Sequence, residues 1–168
     1  LHRVDRRQRQ MCIRDRLVVR TFSKSRAMAG IRIGFAVGSS RVIRYLKDVK
    51  FSFNSYTMNA PSIAWGAASI LDDGYFKETV GKIINTRERV KKELRELGFT
   101  FPDSRSNFLF VSHKSIPAAE LFEALKQEGI YVRYFNKPRI NNYLRITIGT
   151  DEEMDRLLTF LNNMAVPR

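Results

Sequence analysis

A lysine lies among small residues in a loop that directly follows a short β-branched run. The run at 17–20 predicts the end of a buried strand, and Lys24 follows it with Ser23 at its side. Thr21 offers a hydroxyl three residues before the lysine, and Arg32 offers a guanidinium group eight residues after it. A hydroxyl and an arginine can hold an anion such as phosphate, while a lysine amine condenses with a carbonyl. The residue types indicate a site for a phosphate-bearing aldehyde, with a solvated loop as the alternative.

Apolar periodicity and turn residues define the elements around this loop. We expect strands over 31–38, 99–101, 107–111, 130–134 and 143–148, and helices over 40–50, 60–71, 75–97, 117–128 and from 151 onward. Ser39 or Ser40 and Asn59 are candidate N-caps, and Thr150 with Glu153 forms a capping box. The pattern changes from long helices to short alternating elements, which predicts two parts, 17–73 and 74–168.

Length and composition describe a globular protein with an excess of positive charge. The 168 residues include 30 Lys and Arg against 17 Asp and Glu, a net charge of +13, and 43% are hydrophobic. The single cysteine, Cys12, excludes a disulfide framework and a cysteine-based zinc site, and no metal site is predicted. No apolar run has the length of a membrane span, so we expect a soluble, cytoplasmic protein.

The first 16 residues differ from the rest of the chain. They hold six Arg and two Asp, a net charge of +4, without helical or strand periodicity. They could form a basic arm that binds nucleic acid. However, 11–16 (MCIRDR) resembles a translated sequencing adapter, so we expect 1–16 to be a non-native leader. The remaining basic residues are scattered along helix faces, and no zinc-finger or helix-turn-helix pattern occurs, so a nucleic-acid-binding module is a minor alternative.

Two residues and one segment receive structural interpretations. We expect Arg26 to be a surface residue and His113 to lie in a solvated turn. The small-residue segment at 64–68 predicts packing in a core.

The loop and several later segments resemble one enzyme family. Residues 21–30, Thr-Phe-Ser-Lys-Ser-Arg-Ala-Met-Ala-Gly, resemble the attachment-site signature of the class-II pyridoxal-phosphate aminotransferases, and 29–34 resemble its phosphate-arginine strand. Residues 53–59, 104–108 and 143–150 resemble a connector, the start of a strand and the carboxylate-arginine strand of that family. The likeness is greatest to its histidinol-phosphate branch and runs from about residue 17 to the end.

This resemblance implies a fold, a cofactor and a reaction. The implied fold is α/β, the fold-type-I pyridoxal-phosphate-dependent transferase, with the end of the large domain followed by the small C-terminal α+β domain. The implied cofactor is pyridoxal 5'-phosphate. The implied reaction converts histidinol phosphate and 2-oxoglutarate into imidazole acetol phosphate and glutamate in histidine biosynthesis, in a homodimer when the enzyme is full length.

The resemblance also implies roles for matched residues. Lys24 would form the Schiff base with the cofactor and act as general base and acid, and the cofactor phosphate would be bound by Thr21 or Ser23 and Arg32. Arg145 would hold a substrate carboxylate through paired hydrogen bonds, which lysine could not reproduce. Arg133 would hold the substrate phosphate, and Arg139 competes for this role. For Arg32 and Arg145 the alternative is a solvent-facing arginine on an edge strand.

The family places other cofactor residues upstream of the lysine, including an aspartate for the pyridine nitrogen, and these have no counterpart here. We therefore expect a C-terminal fragment that does not transaminate by itself. A threonine-phosphate decarboxylase or an aromatic aminotransferase of the same fold is the alternative function.

Overall fold

The chain divides into two units, the first ending at Phe76 and the second beginning at Lys77. The computed structural model describes residues 16–165, so the predicted leader lies outside the described residues except for Arg16. The elements in chain order are β1 (Val18–Thr21), β2 (Gly34–Val37), α1 (Ser40–Phe53), α2 (Ala60–Leu71), α3 (Asp73–Glu96), β3 (Phe99–Thr100), β4 (Phe108–His113), α4 (Ala118–Gln127), β5 (Arg133–Tyr134), β6 (Leu144–Thr147) and α5 (Asp151–Ala165).

The first unit is built on an antiparallel hairpin of β1 and β2. Thr21 pairs with Gly34 at the end of the hairpin nearest the loop. The predicted strand over 31–38 begins later than expected, because Ala29–Ile31 forms a 3₁₀ turn and Arg32 has a left-handed backbone with φ of 61°. Such a backbone cannot continue a strand. Gly34 is required here, since a Cβ atom would lie 2.6 Å from the carbonyl oxygen of Arg20.

Side-chain caps start both helices of the first unit where the sequence predicts. Ser39 Oγ accepts a hydrogen bond from the Val42 amide at 3.4 Å, and Asn59 Oδ1 accepts one from the Ser62 amide at 2.8 Å. These bonds satisfy backbone donors that the first helical turn leaves unpaired. The two cap predictions are confirmed.

The predicted core packing of 64–68 is wrong for most of that segment. Gly66 is buried against Ile33, but Trp65 is 56% exposed. The neighbouring Ile63 and Ile70 are exposed to a similar extent. Within residues 16–76 only one side of α2 is covered by other elements. Small and apolar residues therefore mark an apolar helix face here, and its burial requires a neighbour on that side.

The second unit is a four-stranded antiparallel sheet with helices packed against one face. The strand order is β3-β4-β6-β5. Alternate residues of the central strands point to the buried face. The core is formed by apolar side chains from these strands and from α3, α4 and α5. Its largest fully buried members are Val90, Leu94, Leu109, Val111, Leu121, Leu125, Leu144, Ile146, Leu157 and Leu161. Among the described residues, no helix combines the length and the apolar character needed to cross a membrane.

His113 belongs to this core, so its expected place in a solvated turn is wrong. As the last residue of β4 it points to the same face as Leu109 and Val111 and is only 7% exposed. Its Nε2 lies 2.9 Å from the carbonyl oxygen of Leu97, and its Nδ1 accepts from the Ile116 amide at 3.0 Å. The strand continues two residues beyond its predicted end at 111, and the strand alternation accounts for the burial.

The capping box at the start of α5 is confirmed, and the next residue links α5 to α3. The Thr150 amide donates to Glu153 Oε2 at 2.8 Å, and the Glu153 amide donates to Thr150 Oγ1 at 3.3 Å. Asp151 Oδ1 accepts from Arg89 Nη2 at 2.8 Å and from Thr86 Oγ1 at 3.0 Å. These hydrogen bonds hold the pKa of the Asp151 carboxyl below its usual value.

We expect Asp151→Asn to lower the urea midpoint of the chain at pH 7. Because the carboxyl pKa is lower in the folded state, the stabilisation is complete above the unfolded pKa and is lost as pH falls through the folded value. The difference from wild type should therefore shrink below about pH 3.9. Glu152→Gln is the control, since Glu152 also lies in the first turn of α5. A difference that is constant between pH 7 and pH 3 would contradict this linkage.

Candidate active site

The lysine loop is a closed turn at the end of the β1–β2 hairpin. The Phe22 amide donates to the Ile33 carbonyl at 3.2 Å, and the Met28 amide donates to the Phe22 carbonyl at 3.1 Å. Within the turn, the Ala27 amide donates to the Lys24 carbonyl at 3.0 Å, and Ala27 has a positive φ of 53°. The buried Phe22 anchors the turn, while the Lys24 side chain is exposed. The backbone is therefore fixed and the amine is accessible.

Two hydroxyl groups lie beside the lysine. Thr21 Oγ1 donates to Ser23 Oγ at 2.8 Å and accepts from the Ser23 amide at 3.1 Å. Thr21 and Lys24 both line an open cavity of about 560 Å³. Its other lining residues are Val19, Arg20, Phe22, Ser25, Arg26, Phe35, Ile70 and Phe76. The amine and one of the two hydroxyl groups thus share a single concave surface.

Arg32 lies at the same end of the hairpin but does not line this cavity. The Phe22 amide donates to the Ile33 carbonyl, so Arg32 and Ser23, the neighbours of these two residues, lie at the same end of the hairpin. Arg32 Nη1 donates to the carbonyl of Ala29 at 2.9 Å, and the side chain is exposed. Within 16–165 it forms no ion pair, so its remaining N–H groups are available to an anion near the mouth of the loop.

Arg26 anchors the lysine loop and is not a free surface residue, so the expectation for it is wrong. Its Nη1 donates to the carbonyl oxygen of Ser69 and lies 3.3 Å from Ser69 Oγ. Its guanidinium carbon lies 4.2 Å from the ring centroid of Phe76 and 5.9 Å from that of Phe22. The apolar stem and planar head of arginine allow this half-buried position.

We expect Arg26→Ala to loosen the loop that carries Lys24. The change removes a charged hydrogen bond and a cation–π contact, so the amides of Ala27 and Met28 should exchange with solvent roughly tenfold faster. Hydrogen exchange followed by NMR measures this directly. Arg44→Ala on the exposed side of α1 is the control and should leave these two rates unchanged. Equal exchange rates in Arg26→Ala and wild type would refute the anchoring role.

Arg133 and Arg145 are direct neighbours across the β5–β6 pair. Phe110 of β4 lies opposite Arg145 on its other side, so the three residues share one face of the sheet. This face is opposite to that of the buried Leu144 and Ile146. Like charges placed directly opposite each other destabilise a sheet. No carboxylate among residues 16–165 pairs with either arginine, so an anion bound between them would relieve the repulsion.

One hydrogen-bond donor of Arg145 has no partner within the described residues. Its Nε atom is buried without a hydrogen-bond partner. Its guanidinium carbon lies 5.3 Å from the ring of Phe108 and 5.9 Å from that of Phe135. A buried donor without a protein partner is unusual. A carboxylate or phosphate oxygen would satisfy it through the paired hydrogen bonds that arginine favours.

The sequence left two arginines as candidates beside Arg145, and the strand register distinguishes them. Arg139 is exposed, has a φ of 72° and lies in a turn in which the Ile140 amide donates to the Lys137 carbonyl. It belongs to no strand, whereas Arg133 lies in β5.

The aromatic residues around Arg145 were missed by the sequence reasoning. Phenylalanines at alternate positions 108 and 110 were the available signal, since alternation puts both on one face.

Residues 5–161 match the protein family described as aminotransferase class I and II. The chain belongs to this family. It is 60% identical over 139 residues to the histidinol-phosphate aminotransferase of Brachyspira hyodysenteriae, covering 83% of this chain and 39% of that protein. It is 51% identical over 145 residues to the corresponding enzyme of Lactococcus lactis subsp. lactis, covering 40% of that protein. The chain thus spans less than half the length of these relatives.

Solved structures confirm the fold class. The histidinol-phosphate aminotransferase of Sinorhizobium meliloti in complex with pyridoxal-5'-phosphate matches with a TM-score of 0.74 and 27% identity over 89% of this chain and 40% of that one. The L-threonine-O-3-phosphate decarboxylase of Porphyromonas gingivalis matches with a TM-score of 0.69 at 22% identity, over 88% of this chain and 46% of that one. The fold is therefore fold-type-I α/β, and it serves more than one reaction.

The lysine loop fits the cofactor of this family, pyridoxal phosphate. The Lys24 amine is exposed at a cavity large enough for a small molecule, which a covalent bond to an aldehyde requires. Two hydroxyl groups 2.8 Å apart and the exposed Arg32 supply donors of the type that phosphate binds. The amine therefore matches the aldehyde of the cofactor, and the hydroxyl and guanidinium donors match its phosphate.

Proposed function

We propose that this chain forms the lysine-bearing and substrate-binding part of an enzyme that transfers an amino group between histidinol phosphate and 2-oxoglutarate. The products would be imidazole acetol phosphate and glutamate, and we propose a homodimer for the whole enzyme. The observation that carries the proposal is the Arg133–Arg145 pair. These two cations lie opposite each other on a half-exposed sheet face, and neither has a carboxylate partner within the described part of the chain. Family membership and the 60% identical relative support the same reaction.

Lys24 has two tasks in the proposed mechanism. Its amine would bind the cofactor aldehyde covalently with loss of water. Once the substrate amine has displaced it, the freed Lys24 amine would take the proton from the substrate α-carbon and return it, as base and then acid of a 1,3-proton shift. When bound, pyridoxal phosphate supplies the electron sink that makes this carbon–hydrogen bond acidic. Thr21, Ser23 and Arg32 hold the cofactor phosphate through their hydroxyl and guanidinium donors. The closed turn around Phe22 keeps the Lys24 backbone in place while its side chain moves.

The arginine pair selects and orients the two substrates. Arg145 holds a carboxylate of 2-oxoglutarate or glutamate by paired hydrogen bonds, and its buried Nε contributes one of them. Arg133 holds the phosphate of histidinol phosphate, a position supported by its register opposite Arg145. Because both substrates are anions that occupy the site in turn, one pair of cations can serve both half-reactions.

The other functions receive less support. A solved threonine-phosphate decarboxylase shares the fold at 22% identity, and solved histidinol-phosphate aminotransferases match at 24% and 27%, so the preference rests on the 60% identical relative. An aromatic amino acid carries no phosphate, so an aromatic aminotransferase would not need Arg133 as a phosphate-binding residue. Aminotransferase substrates are small molecules, and no specific observation favours a nucleic-acid-binding module.

The test is a chimera in which the aligned 139 residues of this chain replace the corresponding region of the Brachyspira hyodysenteriae enzyme. We expect the chimera to transaminate histidinol phosphate with 2-oxoglutarate, while the 168-residue polypeptide alone gives no turnover. A folded chimera that binds pyridoxal phosphate but does not use histidinol phosphate would contradict the proposed substrate. Turnover by the polypeptide alone would contradict the expectation that further residues are needed.

A further inference from the structure

Phe135 contacts both arginines of the proposed anion site. Its ring centroid lies 5.5 Å from the guanidinium carbon of Arg133 and 5.9 Å from that of Arg145. Both distances are within the range of cation–π attraction, in which the negative face of the ring attracts the cation. A single ring therefore offsets part of the repulsion between two neighbouring cations.

An aromatic ring has a different effect on an arginine from that of a carboxylate. A carboxylate neutralises the charge and accepts the N–H hydrogen bonds, as Asp151 and Asp155 do for Arg89. A ring attracts the cation but leaves its N–H groups without acceptors. Arg133 and Arg145 have no ion pair within 16–165, and the buried Nε of Arg145 remains unpaired. Both charges are thus preserved for a ligand.

The ring of Phe135 is itself held in place. It meets Phe110 edge-on, with centroids 6.3 Å apart at 64°, and Phe110 stacks on Tyr143 at 4.6 Å and 9°. Such pairs contribute beyond their buried area and fix ring orientation. The aromatic cluster of Phe110, Phe135 and Tyr143 forms a rigid support on the sheet face that carries the arginines.

We propose that Phe135 is a positioning residue that holds Arg133 and Arg145 side by side with their donors free for one doubly charged anion. The ligand class is a phosphate monoester or a dicarboxylate, since two adjacent cations match two negative charges. This inference rests on the proposed function of the arginine pair, and it adds that an aromatic ring, not a carboxylate, sets the geometry of that pair.

The test titrates the ¹⁵N-labelled 168-residue chain with inorganic phosphate and follows the arginine Nε–H signals by NMR. We expect the signals of Arg133 and Arg145 to shift together in wild type. Phe135→Leu should bind phosphate roughly fivefold to tenfold more weakly, the effect of losing two cation–π contacts. Phe135→Tyr keeps the ring and should bind within about twofold of wild type. Phe135→Met is a second ring-free variant in case the leucine variant loses the native amide spectrum.

Phe101→Leu is the matched control, because the ring of Phe101 lies 4.9 Å from the guanidinium carbon of Arg95 in the same unit. It should leave phosphate binding unchanged. Wild-type affinity in a folded Phe135→Leu or Phe135→Met would overturn the role of Phe135 while leaving the anion site intact. If phosphate shifts neither arginine in wild type, the anion site itself is refuted and the inference falls with it.

Discussion

Lys24→Ala should abolish transamination by the chimera, reducing turnover by roughly three orders of magnitude or more. The substitution removes the only group of this chain that the proposed mechanism uses both for the covalent bond and for proton transfer. Alanine keeps the backbone of the closed turn, in which the bonds from Met28 to Phe22 and from Ala27 to residue 24 involve main-chain atoms only. The loss should therefore come from chemistry and not from unfolding of the loop.

One labelling measurement and one control variant separate this prediction from a general loss of function. Borohydride treatment in the presence of pyridoxal phosphate should add the pyridoxyl mass to the peptide that contains Lys24, and Lys24→Ala should remove that modification. Lys47→Ala, an exposed lysine on α1 of the same unit, is the control and should leave activity and labelling unchanged. A Lys24→Ala chimera that retains measurable turnover would exclude Lys24 as the catalytic lysine.

Because both substrates would use the arginine pair, substitutions at Arg133 and Arg145 should each raise both KM values, with the largest effect on a different substrate. In the chimera, Arg133→Ala should raise the KM for histidinol phosphate by roughly tenfold to a hundredfold, the cost of one charged hydrogen-bonded contact. Arg145→Lys should instead raise the KM for 2-oxoglutarate by a similar factor, because lysine cannot form the paired hydrogen bonds of a guanidinium. Steady-state kinetics with each substrate varied in turn measure both effects.

Arg139→Ala is the control for this pair of substitutions. Arg139 has the same charge and lies six residues after Arg133, but it belongs to an exposed turn outside the sheet. It should change neither KM. An equal rise in both KM values with Arg133→Ala would contradict a role of Arg133 in distinguishing the phosphate from a carboxylate. No effect of Arg133→Ala would favour a substrate without phosphate, such as that of an aromatic aminotransferase.

Local signals in the sequence determined much of the framework. Ser39, Asn59 and Thr150 start helices where predicted because a cap needs only a side-chain acceptor close in sequence to the free amides. The loop that carries Lys24 was likewise predictable, since a strand followed by small residues defines it. In each case the interacting atoms lie within a few residues of one another, so the order of residues is sufficient.

The tertiary structure decided which distant residues meet. Arg133 and Arg145 are twelve residues apart, and only the β5–β6 register puts them opposite each other and leaves Arg139 aside. Arginine is a residue type that usually lies on the surface, yet the carbonyl of Ser69, 43 residues away, accepts a hydrogen bond from Arg26. His113 is buried because β4 extends two residues beyond the predicted strand.

The sequence by itself thus determined the lysine loop, the helix starts and the family to which the chain belongs. The spacing of the two arginines at the proposed anion site, the aromatic rings beside them and the contacts of Arg26 that anchor the lysine loop depended on strand pairing and packing. These features arise from contacts between residues far apart in the chain, and such contacts are set by the burial of the whole core and not by any local pattern.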